Sequence, residues 1–201
     1  MNTDKNSKHK VTQQKLKEKV DQGIAAAVEQ RGVCILLTGD GKGKSSSAFG
    51  MVIRSLGYGH KVGIVQFIKG EQLSGEEIYI KEKYPSIPFY QMGTGFTWDT
   101  QDREGDIVAA LSTWAEAEKL LKDSEINLVV LDELTYMLAF DYLSEDILIN
   151  AIKNRPRQQT VVITGRGGGT ALREIADTVS EIKNIKHAYD FGIQAQKGVD
   201  F

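Results

Sequence analysis

The chain's most constraining feature is a short apolar run, residues 33–38, that breaks directly into Thr38-Gly39-Asp40-Gly41-Lys42-Gly43-Lys44-Ser45-Ser46-Ser47 and then into Ala48-Phe49-Gly50-Met51. A strand that opens through glycines into a helix starting Gly-Lys-Ser is the Walker A pattern. The glycines let successive backbone N–H groups turn inward, and the following helix N-terminus adds partial positive charge at the same spot. Lys44 is then placed to reach outer phosphate oxygens, and the Ser45 hydroxyl to ligate a magnesium ion. The consensus is met imperfectly. Counting back from Gly43-Lys44-Ser45, the first glycine falls at position 38, which is Thr38, so Gly39 lies one step late. The plainer alternative is a glycine-rich turn with a capping serine. The strand before, the helix after and the second lysine at Lys42 favour a nucleotide triphosphate.

A second apolar run ends in paired carboxylates, Leu128-Val129-Val130-Leu131-Asp132-Glu133. This is the Walker B pattern, in which the strand end lies beside the phosphate loop and a carboxylate holds magnesium directly or through water. A helix cap or surface turn is the alternative. The two motifs together establish a nucleotide and leave phosphoryl, nucleotidyl and alkyl transfer all open.

The rest of the chain supplies the frame. Runs 33–38, 61–67, 87–91, 128–131 and 160–164 carry almost no alternation and are rich in Val and Ile, as strands buried on both faces are. Between them lie predicted helices at 44–56, 76–83, 103–122, 144–154 and 171–177. The clearest, 103–122, sets Ile107, Ala110, Leu111, Trp114, Ala117 and Leu121 on one stripe. Alternating strands and helices predict an α/β fold, a P-loop NTPase-like (RecA-like), mostly parallel sheet with helices on both faces. Ligands in such sheets bind beyond the carboxyl ends of the strands.

Residues 1–10 are polar and lysine-rich and are predicted to be a disordered tail. Residues 11–29 read as a helical arm, with Leu16, Val20, Ile24 and Val28 recurring every fourth residue. The expected division is therefore 1–31, tail and helix, and 32–201, the nucleotide-binding domain.

Composition narrows the class. The 201 residues are 41% hydrophobic and 26% charged, with 25 basic and 27 acidic side chains and a net charge of −2. That balance argues against nucleic-acid phosphates as the main partner. Cys34 is the one cysteine, so neither an internal disulfide nor a multi-cysteine zinc site is available, and its apolar setting reads as a small buried hydrophobe. No apolar run approaches the roughly 18 residues of a membrane span, and no secretory signal is visible. A cytoplasmic location is the expectation.

Further segments follow in order: Val65-Gln66-Phe67-Ile68-Lys69-Gly70, Gly93-Thr94-Gly95-Phe96-Thr97-Trp98-Asp99-Thr100-Gln101, Leu131-Asp132-Glu133-Leu134-Thr135-Tyr136-Met137 and Thr164-Gly165-Arg166. Val179-Ser180-Glu181, Lys186-His187-Ala188 and Gly192-Ile193-Gln194-Ala195-Gln196-Lys197-Gly198 close the chain. With the loop at 38–50, this ordered set closely resembles the P-loop type of ATP:corrinoid adenosyltransferase, which is unrelated to the helical-bundle enzymes of the same reaction.

The resemblance implies a homodimer that moves the 5′-deoxyadenosyl group of ATP onto the cobalt of a cob(I) corrinoid (cob(I)alamin, cobinamide or a cobyrinic acid derivative) and expels inorganic triphosphate. It implies Mg²⁺ or Mn²⁺, an electron donor such as reduced flavin or flavodoxin, and a triphosphate held in reverse sense relative to hydrolytic P-loop enzymes. Residue by residue, Gly39, Asp40, Gly41, Lys42, Gly43, Lys44, Ser45 and Ser46 match its triphosphate loop, with Arg166 contributing after the fifth strand. Ser45, Asp132 and Glu133 match its metal side, Glu133 as the direct ligand. Phe96 and Trp98 match aromatics that approach the corrin from its lower face, and with Lys44 they are the expected catalytic residues. Gly167-Gly168-Gly169 departs from the family's less glycine-rich stretch. A RecA-like ATPase or small-molecule kinase shares both Walker patterns, and a non-catalytic cobalamin carrier is a third reading. Release of triphosphate, rather than ADP and phosphate, discriminates the first two.

Overall fold

The computed structural model describes residues 2–68, 73–93, 102–167 and 169–201, with backbone alone for 2–5. The chain divides into two compact units, Met1–Gln30 and Arg31–Phe201.

The first unit is one helix, α1 (Asn2–Ala26). It begins earlier than the sequence predicts. Residues 1–10, expected as a disordered tail, are helical from Asn2, because no proline or glycine interrupts the run before Gly23. Its apolar positions Leu16, Val20 and Ile24 are exposed.

The second unit is a six-stranded, all-parallel sheet in the order β3-β2-β4-β5-β1-β6. Its strands are β1 (Cys34–Thr38), β2 (Val62–Gln66), β3 (Phe89–Gln91), β4 (Leu128–Asp132), β5 (Thr160–Thr164) and β6 (Thr178–Glu181). The described helices are α2 (Lys44–Gly57), α3 (Gly75–Lys83), α4 (Arg103–Lys122), α5 (Thr135–Ala139), α6 (Glu145–Lys153) and α7 (Thr170–Ile175), with a 3₁₀ turn at Ala188–Phe191. Local chemistry sets several boundaries. Asp102 and Ser74 cap α4 and α3 by accepting from Gly105 N–H at 3.1 Å and Glu77 N–H at 3.3 Å. The strand predicted at 87–91 starts only at Phe89, since Pro88 has no N–H to give a ladder.

Two cores flank the sheet, which is the arrangement of helices on both faces that the alternation predicts. One face joins Leu37, Ile64, Val130 and Val162 to Ala48, Phe49 and Val52 of α2 and Ile80 of α3. The other joins Leu36, Val65, Leu131 and Ile163 to Trp114, Leu121, Leu148 and Leu172. All five residues of β2 and of β4 are buried. On α4 the stripe holds for Ala110, Trp114, Ala117 and Leu121, while Leu111 is exposed and the polar Asp106 and Thr113 are buried instead. Tyr136, Leu138, Phe140 and Tyr142 pack on the larger core around the fully buried Met137. The Cys34 thiol is buried, and that burial pushes its pKa up to about 11, as an inert core cysteine requires.

Candidate active site

The loop-bearing β1 and the acid-bearing β4 are separated by β5 alone, so both motifs end on the carboxyl rim of the sheet. Gly39 has φ +99°, and a Cβ there would stand 2.4 Å from the Ile182 carbonyl oxygen, so this bend tolerates only glycine. Two residues on, Gly41 N–H donates to the same carbonyl at 2.7 Å, which ties the loop to the segment after β6. Gly43, at φ +118°, occupies the N-cap of α2 and offers no side chain, leaving the first amides of a 14-residue helix without a side-chain cap. Such an N-terminus favours an anion.

Lys44 is buried at 6% exposure and its Nζ donates to the Gly41 carbonyl at 2.8 Å. Burial depresses its pKa, opposed by Glu133; Arg166 depresses it further, and Asp40 and Asp132 pull it back up. Five residues singled out from sequence therefore share one electrostatic cluster: Asp40, Lys44, Asp132, Glu133 and Arg166. Ser45 is half-buried and Ser46 exposed beside it. Lys42 is engaged elsewhere, in an ion pair with Asp200 at 2.7 Å. That pair holds the Asp200 carboxyl below its usual range.

The acidic pair is asymmetric. Asp132 is buried and both its oxygens accept, Oδ1 from Thr164 Oγ1 at 2.6 Å and Oδ2 from Gln66 Nε2 at 2.9 Å. Glu133 sits in the left-handed region at φ 59°, where its N–H donates to Thr164 Oγ1 at 2.9 Å. Its Oε2 is buried with no hydrogen-bond partner. Burial, reinforced by Asp132, pushes the Glu133 carboxyl up to about 7, with Lys44 and Arg166 opposing. A buried carboxylate oxygen lacking a donor is what a hard cation completes, and the donor set here is all oxygen. Among the described residues no group of three or more His, Cys, Asp or Glu could hold a metal. A cation there would have to draw its remaining ligands from Ser45, a bound triphosphate or water.

Arg166 follows β5 on an exposed turn whose backbone carbonyl accepts from Thr135 Oγ1 at 3.1 Å. Phe96 and Trp98 lie outside the described residues, as does Gly168 within the glycine run. Sequence reasoning missed two features. One is the polar set Gln66, Gln91, Glu77 and Thr164 around Asp132. The other is an apolar cavity of about 390 Å³ between α2 and α3, lined by Ser46, Phe49 and Ile53 on one side and Glu76, Tyr79 and Ile80 on the other. Its one legible sign was the set of apolar residues on 75–83 left over after Ile80 enters the core.

The profile of the family described as ATP:corrinoid adenosyltransferase BtuR/CobO/CobP matches residues 30–201. The corrinoid adenosyltransferase of Escherichia coli (strain K12) is 50% identical over 189 residues, 94% of this chain and 95% of that protein. The corrinoid adenosyltransferase of Pseudomonas aeruginosa is 48% identical over 198 residues, 98% of each. Among solved structures, flagellar accessory protein FlaH from Methanocaldococcus jannaschii resembles this chain with a TM-score of 0.50 at 14% identity, over 76% of this chain and 71% of that one. That likeness is one of fold.

Proposed function

Because the chain belongs to the ATP:corrinoid adenosyltransferase family, we propose that the 38–47 loop and the Asp132–Glu133 pair are the two halves of its triphosphate site. The enzyme transfers the 5′-deoxyadenosyl group of ATP to the cobalt of a cob(I) corrinoid. The cobalt electron pair forms the bond to C5′, the C5′–O5′ bond breaks, and triphosphate leaves with that bond's electrons. A nucleophile this strong needs no general base, so the protein's task is orientation and charge neutralisation.

The observation that carries the site reading is the buried Lys44 ammonium coupled to Glu133 and Asp132 across one rim. Lys44 and the α2 amides face the charge that grows on the leaving triphosphate. Arg166 adds a second cation from the β5 side. Glu133, Ser45 and, less directly, Asp132 are the residues that would hold Mg²⁺ or Mn²⁺. When bound, that ion supplies further neutralisation of the triphosphate. Phe96 and Trp98 follow the resemblance as a wedge under the corrin that removes the lower axial ligand and eases reduction of cob(II). An electron donor such as reduced flavin or flavodoxin belongs to that step. A homodimer fits the exposed edge strand β6 and the exposed Ile185, Tyr189 and Phe191 after it. A cytoplasmic setting fits a chain whose one cysteine is buried and unpaired.

The test is Lys44→Ala assayed with pre-reduced cob(I)alamin, ATP and magnesium, following the light-sensitive alkylcobalamin spectrum and triphosphate release. Turnover should fall about 10²- to 10³-fold at an unchanged melting temperature. Near-normal turnover in the folded variant would refute the assignment.

A further inference from the structure

Four adjacent strands end in a single row of polar side chains. Gln91 on β3, Gln66 on β2 and Asp132 on β4 are register partners across the sheet. Leu131 pairs with Ile163, so Thr164 on β5 stands next to Asp132. Each member of the row on β2, β4 and β5 lies two residues beyond a core residue of the α2 face, Ile64, Val130 and Val162. An apolar side chain at any of these positions would have continued that core.

Hydrogen bonds run along the row in one sense. Lys81 Nζ donates to Gln91 Oε1 at 3.1 Å, Gln91 Nε2 to Gln66 Oε1 at 2.9 Å, and Gln66 Nε2 to Asp132 Oδ2 at 2.9 Å. The other Asp132 oxygen accepts a hydrogen bond from the Thr164 hydroxyl, which turns a Thr164 lone pair to the Glu133 N–H. Glu77, 1% exposed, accepts from both Gln91 Nε2 at 3.0 Å and Lys81 Nζ at 2.8 Å. The two amide orientations are forced. A carboxylate only accepts and an ammonium only donates, so with Asp132 at one end and Lys81 at the other, each glutamine has one consistent setting.

Burying this many polar groups yields little net stability even when every one is satisfied, because each gives up water to gain its partner. Orientation is what the row supplies. We propose that Gln66 and Gln91 are positioning residues for the acidic pair: they hold Asp132 in one rotamer as a two-sided acceptor, and through Thr164 that rotamer keeps Glu133 in its left-handed backbone setting with Oε2 open to a cation. Asp132 therefore serves the site through its partners, and Glu133 makes the direct contact. This rests on the triphosphate-and-cation reading of the rim given above.

The experiment measures Mn²⁺ affinity of the full-length protein with ATP present, by the spin-resonance signal of free Mn²⁺, alongside the melting temperature. Gln66→Leu should weaken Mn²⁺ about 10-fold or more, the usual cost of removing a partner that orients a ligand. In an Asp132→Asn background the same substitution should add less than about twofold, because its route runs through Asp132. Gln91→Met, at a half-buried position on the edge strand, should weaken Mn²⁺ about threefold in the same assay. The proposal is overturned if folded Gln66→Leu and Gln91→Met both bind Mn²⁺ as the parent does, or if the Gln66→Leu loss persists in full on Asp132→Asn. Glu133→Gln separates the two failures. If it weakens Mn²⁺ while the glutamine variants do not, positioning alone is wrong. If it too leaves Mn²⁺ binding unchanged, the cation reading of the rim falls and the positioning proposal with it.

Discussion

Replacing Glu133 by glutamine removes one ionisable group from a buried position, and its effect on stability has a definite sign with pH. The carboxyl lies at about 7 in the folded protein, against 4.5 for an unperturbed glutamate, chiefly because it is buried. Below about 4.5 it is protonated in both states and contributes no difference. Between the two values the folded protein keeps a proton that the unfolded chain has released, so stability declines as pH rises. Above about 7 the full penalty is present and the curve flattens. The gap, at about 1.4 kcal/mol per pH unit, sets an upper limit of about 3.5 kcal/mol. Glu133 keeps part of its surface in solvent, which brings the expected value to about 1–2 kcal/mol.

Glutamine keeps the shape and removes the titration, so the difference between parent and Glu133→Gln isolates this group from every other that titrates. The assay is urea denaturation of the full chain without nucleotide or metal, from about pH 5 to about pH 8. The two proteins should be similar at the acid end, and the variant should be the more stable at the alkaline end by about 1–2 kcal/mol. Adding ATP with Mg²⁺ should reverse the order, since a ligand that binds the folded parent more tightly stabilises it more. A gap that stays constant with pH, or widens toward acid, would refute the burial argument.

Gly39→Ala should lower stability by about 2 kcal/mol or more, because the added methyl meets the Ile182 carbonyl at a positive φ, and thermal melting reads this directly. Phe96→Ala and Trp98→Ala should lose most activity with a flavin-level reductant on cob(II)alamin and keep much of it with pre-reduced cob(I)alamin. Equal loss in both assays at normal stability would assign these aromatics to positioning of the corrin or ATP, and no loss in either to loop packing.

Most of the fold was legible because its strands are unusually apolar. Val129, Val130 and Leu131 read as a strand buried on both faces, and the glycines at 39–43 mark where β1 turns. Strand β6 was not legible. Thr178-Val179-Ser180-Glu181 has one apolar residue, and all four are exposed; its place comes from main-chain pairing to β1, which leaves no mark on side-chain pattern. The short α5 was hidden for a related reason. Its start follows Glu133 in the left-handed region, a setting that local propensity disfavours and that the hydrogen bond from Glu133 N–H to Thr164 supports.

The same distinction explains why the loop and the acidic pair were found while the residues that orient them were not. A phosphate loop is local in sequence: its donors, its lysine and its helix lie within about ten residues, so spacing alone reveals it. The row from Gln91 to Thr164 is lateral, crossing strands that are remote in the chain. Its members are each merely the last residue of a strand, and a terminal Gln or Thr there is ordinary. Their meaning comes from the order β3-β2-β4-β5, which places four strand ends side by side. Given that order, the phase is readable: Gln66, Asp132 and Thr164 each follow a core residue by two, and so must emerge on the α2 face, the face that carries the phosphate loop. Polar residues in register on that face, at the carboxyl ends of parallel strands, are therefore the ones to test for control of the metal side.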